Sequence, residues 1–257
     1  MFTEFLVFGI KQARASVFAG SFLALLLISN HIPLFGLARY DFLFIAAVLI
    51  QAVLYFTKLE TKDELKVICL FHIIGLVLEL YKTSPAIGSW SYPEAAFFKI
   101  YTVPLYSGFM YAAVGSYISQ AWKIFKLDLP QYRHYFASVL LCVLIYINFF
   151  TNHYVYDIRI FLIIAVFALF WNTRVYFTVI REKRWMHLNV AFVLIAFFIW
   201  VAENISTYLG AWKYPDQIHA WNTVSTQKVT SWFLMVIISF ILVAYLKHFK
   251  KELAVKE

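Results

Sequence analysis

The sequence predicts an all-α membrane protein, a polytopic bundle of eight transmembrane helices that forms one membrane domain over residues 1–257. Hydrophobic residues make up 63% of the chain and charged residues only 14%, whereas soluble domains carry about 25% charged residues. The chain contains a series of apolar runs whose lengths approach the ~20 residues needed to cross a hydrocarbon core. Lysines and arginines stand in short clusters between these runs, which is typical of membrane proteins. We therefore expect the lipid bilayer to be the main partner of the chain.

Eight apolar segments account for the predicted spans, and aromatic residues crowd their ends, as is usual at membrane interfaces. They are Ala15–Ile32, Tyr40–Thr57, Leu65–Tyr81, Ile100–Trp122, Tyr135–Thr151, Ile158–Phe177, Leu188–Leu209 and Val229–Leu246. The first segment lacks a small-residue cleavage site and follows Glu4, Lys11 and Arg14, so a span is predicted there and not a cleavable signal peptide. Pro104, inside the fourth segment, is expected to kink that helix.

The positions of the basic residues predict that both termini lie in the cytoplasm. The predicted inner segments contain Lys11, Arg14, Lys58, Lys62, Lys66, Lys123, Lys126, Arg133, Arg174, Arg181, Lys183, Arg184, Lys247, Lys250, Lys251 and Lys256. The predicted outer segments contain only Arg39, Lys82, Lys99, Arg159, Lys213 and Lys228. Because positive loops stay inside, we expect a multi-pass protein of the cell membrane with this orientation.

The two halves of the chain, 1–128 and 129–257, share a series of residues in the same order. Gln12-x-Arg14, Asn30-His31, Tyr40-Asp41 and Tyr55-Phe56-Thr57 match Gln131-x-Arg133, Asn152-His153, Tyr156-Asp157 and Tyr176-Phe177-Thr178. The longest match pairs Glu79-x3-Thr83 and Gly88-x-Trp90-x-Tyr92-Pro93 with Glu203-x3-Thr207 and Gly210-x-Trp212-x-Tyr214-Pro215. An ordered repeat indicates duplication, and an even number of spans gives both copies the same orientation. The sequence thus predicts a 4+4 parallel repeat.

Matched polar residues collect near the predicted extracytoplasmic face, where they form a candidate site. Glu79 shares a helix face with Thr83, as Glu203 does with Thr207. Two carboxyls in a pocket of low dielectric constant can differ in charge, one protonated and one ionised, which suits acid/base chemistry on a double bond or a hydroxyl. The predicted catalytic residues are Glu79, Glu203, Thr83 and Thr207. The predicted ligand-binding residues are Trp90, Tyr92, Trp212, Tyr214 and His72.

Simpler interpretations exist for each of these features. A glutamate near a helix end can reach water, Gly-x-Trp-x-Tyr-Pro suits an interfacial turn, and the Asn-His and Tyr-Asp pairs suit helix caps. His72 suits a hydrogen-bonded core position. No tight ligand spacing supports a metal site, and no cofactor is predicted. The repetition of the whole set on one face still favours a functional site.

Several other classes are disfavoured by the sequence. The net charge of +8 is spread over loops and does not form a nucleic-acid-binding face, and no phosphate-binding glycine loop points to a nucleotide. Cys69 and Cys142 fall in apolar runs and are predicted to be small core residues, not a disulfide or metal pair.

With these motifs in view, nearly the whole chain resembles a bacterial family of integral membrane proteins known as domain of unknown function 817. The resemblance implies a bacterial cytoplasmic membrane but no activity. A local likeness to membrane carotenoid hydratases rests on Glu79, Gly88, Tyr92 and Val103-Pro104-Leu105. The second half departs from that pattern, since Ser231-Trp232-Phe233 stands where Val-Pro-Leu is expected.

Two functional hypotheses follow. The first is a membrane-embedded enzyme or binder that acts on an isoprenoid or another lipid through the paired glutamates. The second is a proton- or cation-coupled transporter of a small solute, for which Gln51, His72, Asn148 and Asn172 are the polar residues near mid-membrane depth. An accessory role in membrane assembly is a third option.

Overall fold

The fold is helical over the residues that the computed structural model describes, which are 2–130, 132 and 134–254, with side chains up to residue 247. Its helices are α1 Phe2–Ala15, α2 Val17–Ile28, α3 Arg39–Phe56, α4 Lys62–Lys82, α5 Ser107–Ile124, α6 Tyr135–Thr151, α7 Arg159–Leu169, α8 Leu188–Tyr208 and α9 Gln227–Ala254. Two short antiparallel hairpins join β1 Lys99–Ile100 to β2 Val103–Pro104 and β3 Arg174–Thr178 to β4 Lys183–His187.

Several helices have the length and composition of membrane spans. Within the described residues, α3, α8 and the Gln227–Lys247 part of α9 are long and apolar enough to cross a membrane, and α1 with α2 gives a fourth span if the two act together. The break at Ser16 separates that pair. Helices α6 and α7 are apolar but shorter, with 17 and 11 residues. The protein is therefore a helical protein with three to four candidate membrane spans.

The fourth predicted span begins later than expected. Ile100 pairs with Val103 and Lys99 with Pro104 in the first hairpin, and the helix starts only at Ser107. Proline has no N–H for a helix and is tolerated in an edge strand. The prediction that Pro104 kinks a helix was therefore wrong, because Pro104 lies in β2.

The sixth predicted span, Ile158–Phe177, is helical only in part. Helix α7 ends at Leu169, and β3 then pairs with β4 in a register that runs from Arg174 opposite His187 to Thr178 opposite Lys183. The β3 sequence Arg-Val-Tyr-Phe-Thr is rich in β-branched and aromatic residues, which favour strands. Apolar content alone does not distinguish such a strand from the end of a helix.

The chain divides into two compact units. The first comprises residues 1–15, 117–199 and 226–257. In it, α6 and α7 pack against α9, and the rings of Phe167 and Phe233 stack at 5.5 Å. Arg184 of β4 binds both carboxylate oxygens of Glu4 at 3.0 Å, so this ion pair ties α1 to the second hairpin.

The second unit comprises residues 16–116 and 200–225. Its helix α4 begins with a capping box, in which Thr61 Oγ1 accepts from the Glu64 N–H and Glu64 Oε2 accepts from the Thr61 N–H at 2.9 Å. Such a box satisfies two N–H groups at a helix start. Cys69 of this helix is exposed, so its predicted core position was wrong. All nine predicted site residues lie in this unit.

Candidate functional site

Helix α4 places Glu79 in its last turn, where the side chain is only 2% exposed. The Glu79 Oε2 atom accepts hydrogen bonds from Trp90 Nε1 at 2.7 Å and from the Tyr92 hydroxyl at 2.8 Å. Its Oε1 atom accepts from the Tyr111 hydroxyl at 2.7 Å. These neutral donors satisfy the lone pairs of a carboxylate that water barely reaches.

Tyr111 was missed by the sequence analysis, and its position depends on a glycine. A Cβ atom on Gly75 would lie 2.4 Å from the Tyr111 ring. Gly75 precedes Glu79 by one turn on the same face of α4. The ring therefore packs directly on the α4 backbone, and its hydroxyl reaches the carboxylate.

Helix α8 places Glu203 in a comparable position, 4% exposed. The Tyr214 hydroxyl donates to Glu203 Oε1 at 2.5 Å. The rings of Tyr214 and Trp90 meet edge to face with centroids 6.1 Å apart. Each glutamate is thus bound by the tyrosine of its own Gly-x-Trp-x-Tyr-Pro motif, and the two motifs are in contact.

The motif loops pair with each other through their backbones. The Ser91 N–H donates to the Lys213 carbonyl, and the Lys213 N–H donates to the Ser91 carbonyl, both at 2.9 Å. Ser91 lies between Trp90 and Tyr92, just as Lys213 lies between the tryptophan and tyrosine of the second motif. Gly88 and Gly210 have φ of 57° and 76°, which glycine adopts without strain.

Both motif tyrosines lie in the field of the carboxylates. Burial raises the pKa of Tyr92 well above its usual value near 10, and the Glu79 charge adds to this shift. Burial also raises the pKa of Tyr214, with further contributions from the charges of Glu203 and Glu79 and an opposing hydrogen bond from Trp212. The contact between the Trp90 and Tyr214 rings, each of which donates to one of the two glutamates, places both carboxyl groups in one cluster. Both phenols stay protonated, and hence stay donors, near neutral pH.

Arg39 at the start of α3 fixes the end of α8 beside this site. It pairs with Glu94 at 2.7 Å and donates to the carbonyls of Leu209 at 2.7 Å and Gly210 at 3.3 Å. Gly210 and Ala211 also donate their N–H groups to the carbonyls of Thr207 and Ser206, which is the pattern of a Schellman C-cap. The Tyr106 hydroxyl donates to the carbonyl of Ala211.

The two predicted threonines make their described hydrogen bonds away from the carboxylates. Thr83 Oγ1 donates to the Glu79 backbone carbonyl at 2.9 Å and pairs with Thr102 Oγ1 at 2.8 Å. Thr207 Oγ1 donates to the Asn204 carbonyl and accepts from Trp221 Nε1 at 3.1 Å. Both threonine hydroxyls therefore bond to backbone carbonyls at the ends of the helices that carry the glutamates.

One predicted ligand-binding residue and one residue of the matched polar pairs lie apart from the glutamates. His72 lines a pocket between α3 and α4, two turns before Glu79. Asp41, of the first Tyr-Asp pair, accepts from the N–H groups of Phe97 and Phe98 at 2.8 and 2.7 Å. It thereby holds the segment before β1 in place. No group of three His, Cys, Asp or Glu side chains suited to a metal ion occurs in the described part of the chain.

Fold and site together define a class: a helical protein with apolar helices long enough to cross a membrane and with two buried glutamates whose aromatic hydrogen-bond donors are in contact. Within that class, the chain matches the family model described as "Protein of unknown function (DUF817)" over residues 4–240, and it belongs to that family. It is 51% identical over 245 residues to the uncharacterized protein YoaT of Bacillus subtilis (strain 168), which covers 95% of this chain and 92% of that protein. No solved structure matches the chain. The predicted family is thus confirmed, while the likeness to carotenoid hydratases stays a prediction.

Proposed function

We propose that this protein is a membrane-embedded enzyme that transfers protons to and from an isoprenoid or another unsaturated lipid at Glu79 and Glu203. The observation that carries the proposal is the shared burial of the two carboxyl groups among indole and phenol donors. Acids within a membrane protein are functional candidates by default. Burial of the two carboxyl groups would also protect a reactive intermediate from side reactions with water.

The hydrogen bonds of Glu79 support a division of roles between the two glutamates. Glu79 accepts from three neutral donors, and hydrogen bonds to the charged form favour the carboxylate. Glu203 is the group proposed to carry the proton. Its transfer to a carbon–carbon double bond forms a carbocation and leaves Glu203 ionised. The Glu79 charge and the Trp90 and Tyr214 rings stabilise that cation. The cation then loses a proton from a different carbon to the Glu79 carboxylate, which completes the isomerisation, and return of this proton from Glu79 to Glu203 restores the starting state.

The architecture proposed for this enzyme is a 4+4 duplication of eight membrane-spanning helices, with both termini in the cytoplasm of the cell. Leaving α1 aside, four helices precede residue 128 and four follow it. Ser91 and Lys213, which pair with each other, stand at the same place in the two motifs, and so do the positive-φ glycines. The origin of the YoaT relative in a bacterium suits the cell membrane.

The test compares lipid extracts of cells that express the wild type, the Glu79→Gln/Glu203→Gln variant or the Glu182→Gln variant. Glu182 is an exposed acid of the second hairpin loop, so its substitution makes the same chemical change away from the site. We expect a lipid species that is present with the wild type and Glu182→Gln but absent with the double variant. Identical extracts at equal membrane levels of all three proteins would contradict the enzyme.

A transporter is the second candidate, because the second unit also buries an acid at the other end of α4. Glu60 is 2% exposed and accepts a hydrogen bond from Gln51 Nε2. It accepts a second hydrogen bond from Ser116 Oγ, at 2.5 Å. The 21 residues of α4 cover roughly 31 Å, about the thickness of the hydrocarbon core. The helix is thus flanked by buried acids at both ends. Proteoliposomes with a pH-sensitive dye would report a proton flux that Glu60→Gln abolishes if this candidate is correct.

A further inference from the structure

Helix α1 is fixed to the first unit by one of its faces. The Phe8 ring packs against the rings of Phe125 and Phe177, with centroids 5.4 and 6.2 Å apart. Gln12 Oε1 accepts a hydrogen bond from the Tyr117 hydroxyl at 2.9 Å. These contacts set the rotation of α1 about its own axis, and hence the face that it turns outward.

The outward face of α1 carries an apolar stripe. Phe2, Leu6 and Ile10 follow one another at intervals of four residues and are 74%, 49% and 62% exposed. Side chains at this spacing lie one above the other along a helix, so the stripe is about 12 Å long. With 14 residues, α1 is too short to cross a hydrocarbon core by itself. A short helix with an exposed apolar stripe and basic residues beside it is typical of membrane interfaces.

The stripe leads into a cluster of three basic residues. Arg14 stands at the next position of the stripe and is exposed, and Lys11 lies one turn before it on α1. Lys11 Nζ donates to the Thr178 carbonyl at 3.0 Å and lies 5.5 Å from the centre of the Phe125 ring. Lys126, the residue after Phe125, is exposed. The charges of Lys126 and Arg14 also act on Lys11. These three residues form the cation cluster.

The acidic side chains nearby are paired with other basic residues. Glu4 and Glu182 bind Arg184 at 3.0 and 2.8 Å, and Asp128 binds Lys183 at 2.7 Å. Among the side chains that the structure describes, no carboxylate forms an ion pair with a member of the cation cluster. Three positive charges thus adjoin the apolar stripe without an acid of the described chain to balance them, which favours an anionic partner.

We propose that this face of α1 binds an anionic phospholipid, with the phosphate at the cation cluster and an acyl chain along the apolar stripe. The charge of the cluster selects the head group, because a zwitterionic phospholipid brings a cation that the cluster repels. The stripe selects a lipid over free phosphate, which would leave three exposed apolar side chains uncovered. On the topology proposed above, the cluster lies at the cytoplasmic leaflet, where anionic lipids attract basic segments. This site goes beyond the proposed proton transfer and does not require Glu79 or Glu203.

Native mass spectrometry of the full-length protein in a neutral detergent measures the binding. The probes are dioleoyl phosphatidylglycerol, dioleoyl phosphatidylcholine, which has the same chains, and glycerol phosphate, which has a phosphate but no chains. We expect the wild type to bind phosphatidylglycerol at least about tenfold more tightly than phosphatidylcholine, since each basic residue near an anionic lipid contributes about fivefold. Glycerol phosphate at the same concentration should not displace the bound phosphatidylglycerol.

A pair of charge variants locates the site. Arg14→Gln/Lys126→Gln should weaken the binding of phosphatidylglycerol at least about tenfold, because two cations are lost. Arg181→Gln/Lys58→Gln is the matched control, since it removes an exposed arginine and an exposed lysine outside the cluster. Lys58 and Lys126 also share a positive φ, of 61° and 52°, so the two lysine changes affect the backbone alike. The control should keep the wild-type affinity.

The stripe is tested by Ile10→Gln, which removes apolar contact but no charge. It should weaken both lipids at least about threefold, whereas Val53→Gln, at a 57% exposed position of α3, should weaken neither. Wild-type affinity of the Ile10→Gln protein would contradict the proposed place of the acyl chain.

Equal affinity of the wild type for the two phospholipids would overturn the proposal. So would displacement of the lipid by glycerol phosphate, which would indicate a site for free anions. An equal loss in the charge variant and its control would show that the cluster is not the site. The first two comparisons need only the wild type, so they hold even if a variant does not fold. A failed lipid-extract test with Glu79→Gln/Glu203→Gln would leave this result intact, because the two measurements concern different residues.

Discussion

At the residue scale, the site is distinguished by carboxylates that are bound by aromatic donors and shielded from water. Glu79 and Tyr92, like Glu203 and Tyr214, form pairs in which a buried phenol donates to a buried acid. Hydrogen bonds to charged groups stabilise a fold by about 1.5–3 kcal/mol each. The same contacts hold the carboxylates in fixed positions, which acid/base catalysis requires.

The raised pKa values of Tyr92 and Tyr214 predict a loss of stability at high pH. Unfolded tyrosines ionise near pH 10, so the contribution of these phenols is complete below that pH. It declines as the pH rises above 10 toward the folded-state pKa. Melting temperatures in detergent between pH 8 and pH 11 should fall less steeply above pH 10 for Tyr92→Phe than for the wild type. Tyr208→Phe, at an exposed position, serves as the control, and equal slopes for all three proteins would contradict the prediction.

At the element scale, the site depends on a close approach of α4 and α5. Gly75 allows the Tyr111 ring to lie on the α4 backbone, which brings a donor from a third segment to Glu79. Two other donors come from the first motif loop, which Lys99 holds through its bonds to the carbonyls of Tyr92 and Glu94. The donors to Glu79 thus come from the first motif loop and from α5. The site is not formed by a single helix face.

Gly75→Ala should destabilise the protein by about 1–3 kcal/mol, because the added methyl group overpacks the α4–α5 contact. Gly20→Ala is the matched control, since no atom lies within 4 Å of the added Cβ there and alanine favours a helix. Chemical unfolding in detergent micelles would measure both changes. A cost for Gly75→Ala no larger than that for Gly20→Ala would show that the close contact is unimportant.

The elements that the sequence analysis predicted well are those with long apolar runs. The predicted spans Tyr40–Thr57 and Leu188–Leu209 agree within one residue at each end with α3 and α8, and Tyr135–Thr151 agrees with α6. The two hairpins were missed because each overlaps a predicted span, in which residues such as Ile100, Val175 and Phe177 are as apolar as those of a helix. Hydrogen-bonding partners, and not composition, decide between helix and strand at such positions.

The site itself was predictable only where the sequence repeats. The glutamates and the Trp-x-Tyr motifs appear twice, and the structure brings them together. Tyr111 and Arg39 have no matched partner in the other half, so nothing in one sequence marks them. Glu60 lies among charged residues of a loop, and its burial depends on contacts with Gln51, on the preceding helix, and with Ser116, which is 56 residues further along the chain.

At the scale of the whole molecule, the proposed topology places the two motif loops outside the cell and the second hairpin inside. Single-cysteine variants at His219, in the loop after the second motif, and at Glu182, in the β3–β4 turn, test this placement, since both positions are exposed. In a background with Cys69 and Cys142 replaced by alanine, an impermeant maleimide should label His219→Cys on intact cells. It should label Glu182→Cys only after permeabilisation. Labelling of both variants on intact cells would contradict the proposed orientation.

The pairing of Ser91 with Lys213 has a consequence for the history of the chain. When equivalent residues of two copies bond to each other, the contact is self-complementary, as at the two-fold axis of a homodimer. On the duplication proposed above, an ancestor of half this length would have formed the same loop pair between two separate subunits, each with its own acid. On the same proposal, fusion would have allowed the copies to diverge: the Trp90 indole donates to Glu79, whereas Trp212 acts on the Tyr214 hydroxyl and lowers its pKa. Two acids that began as identical could in this way acquire different tasks.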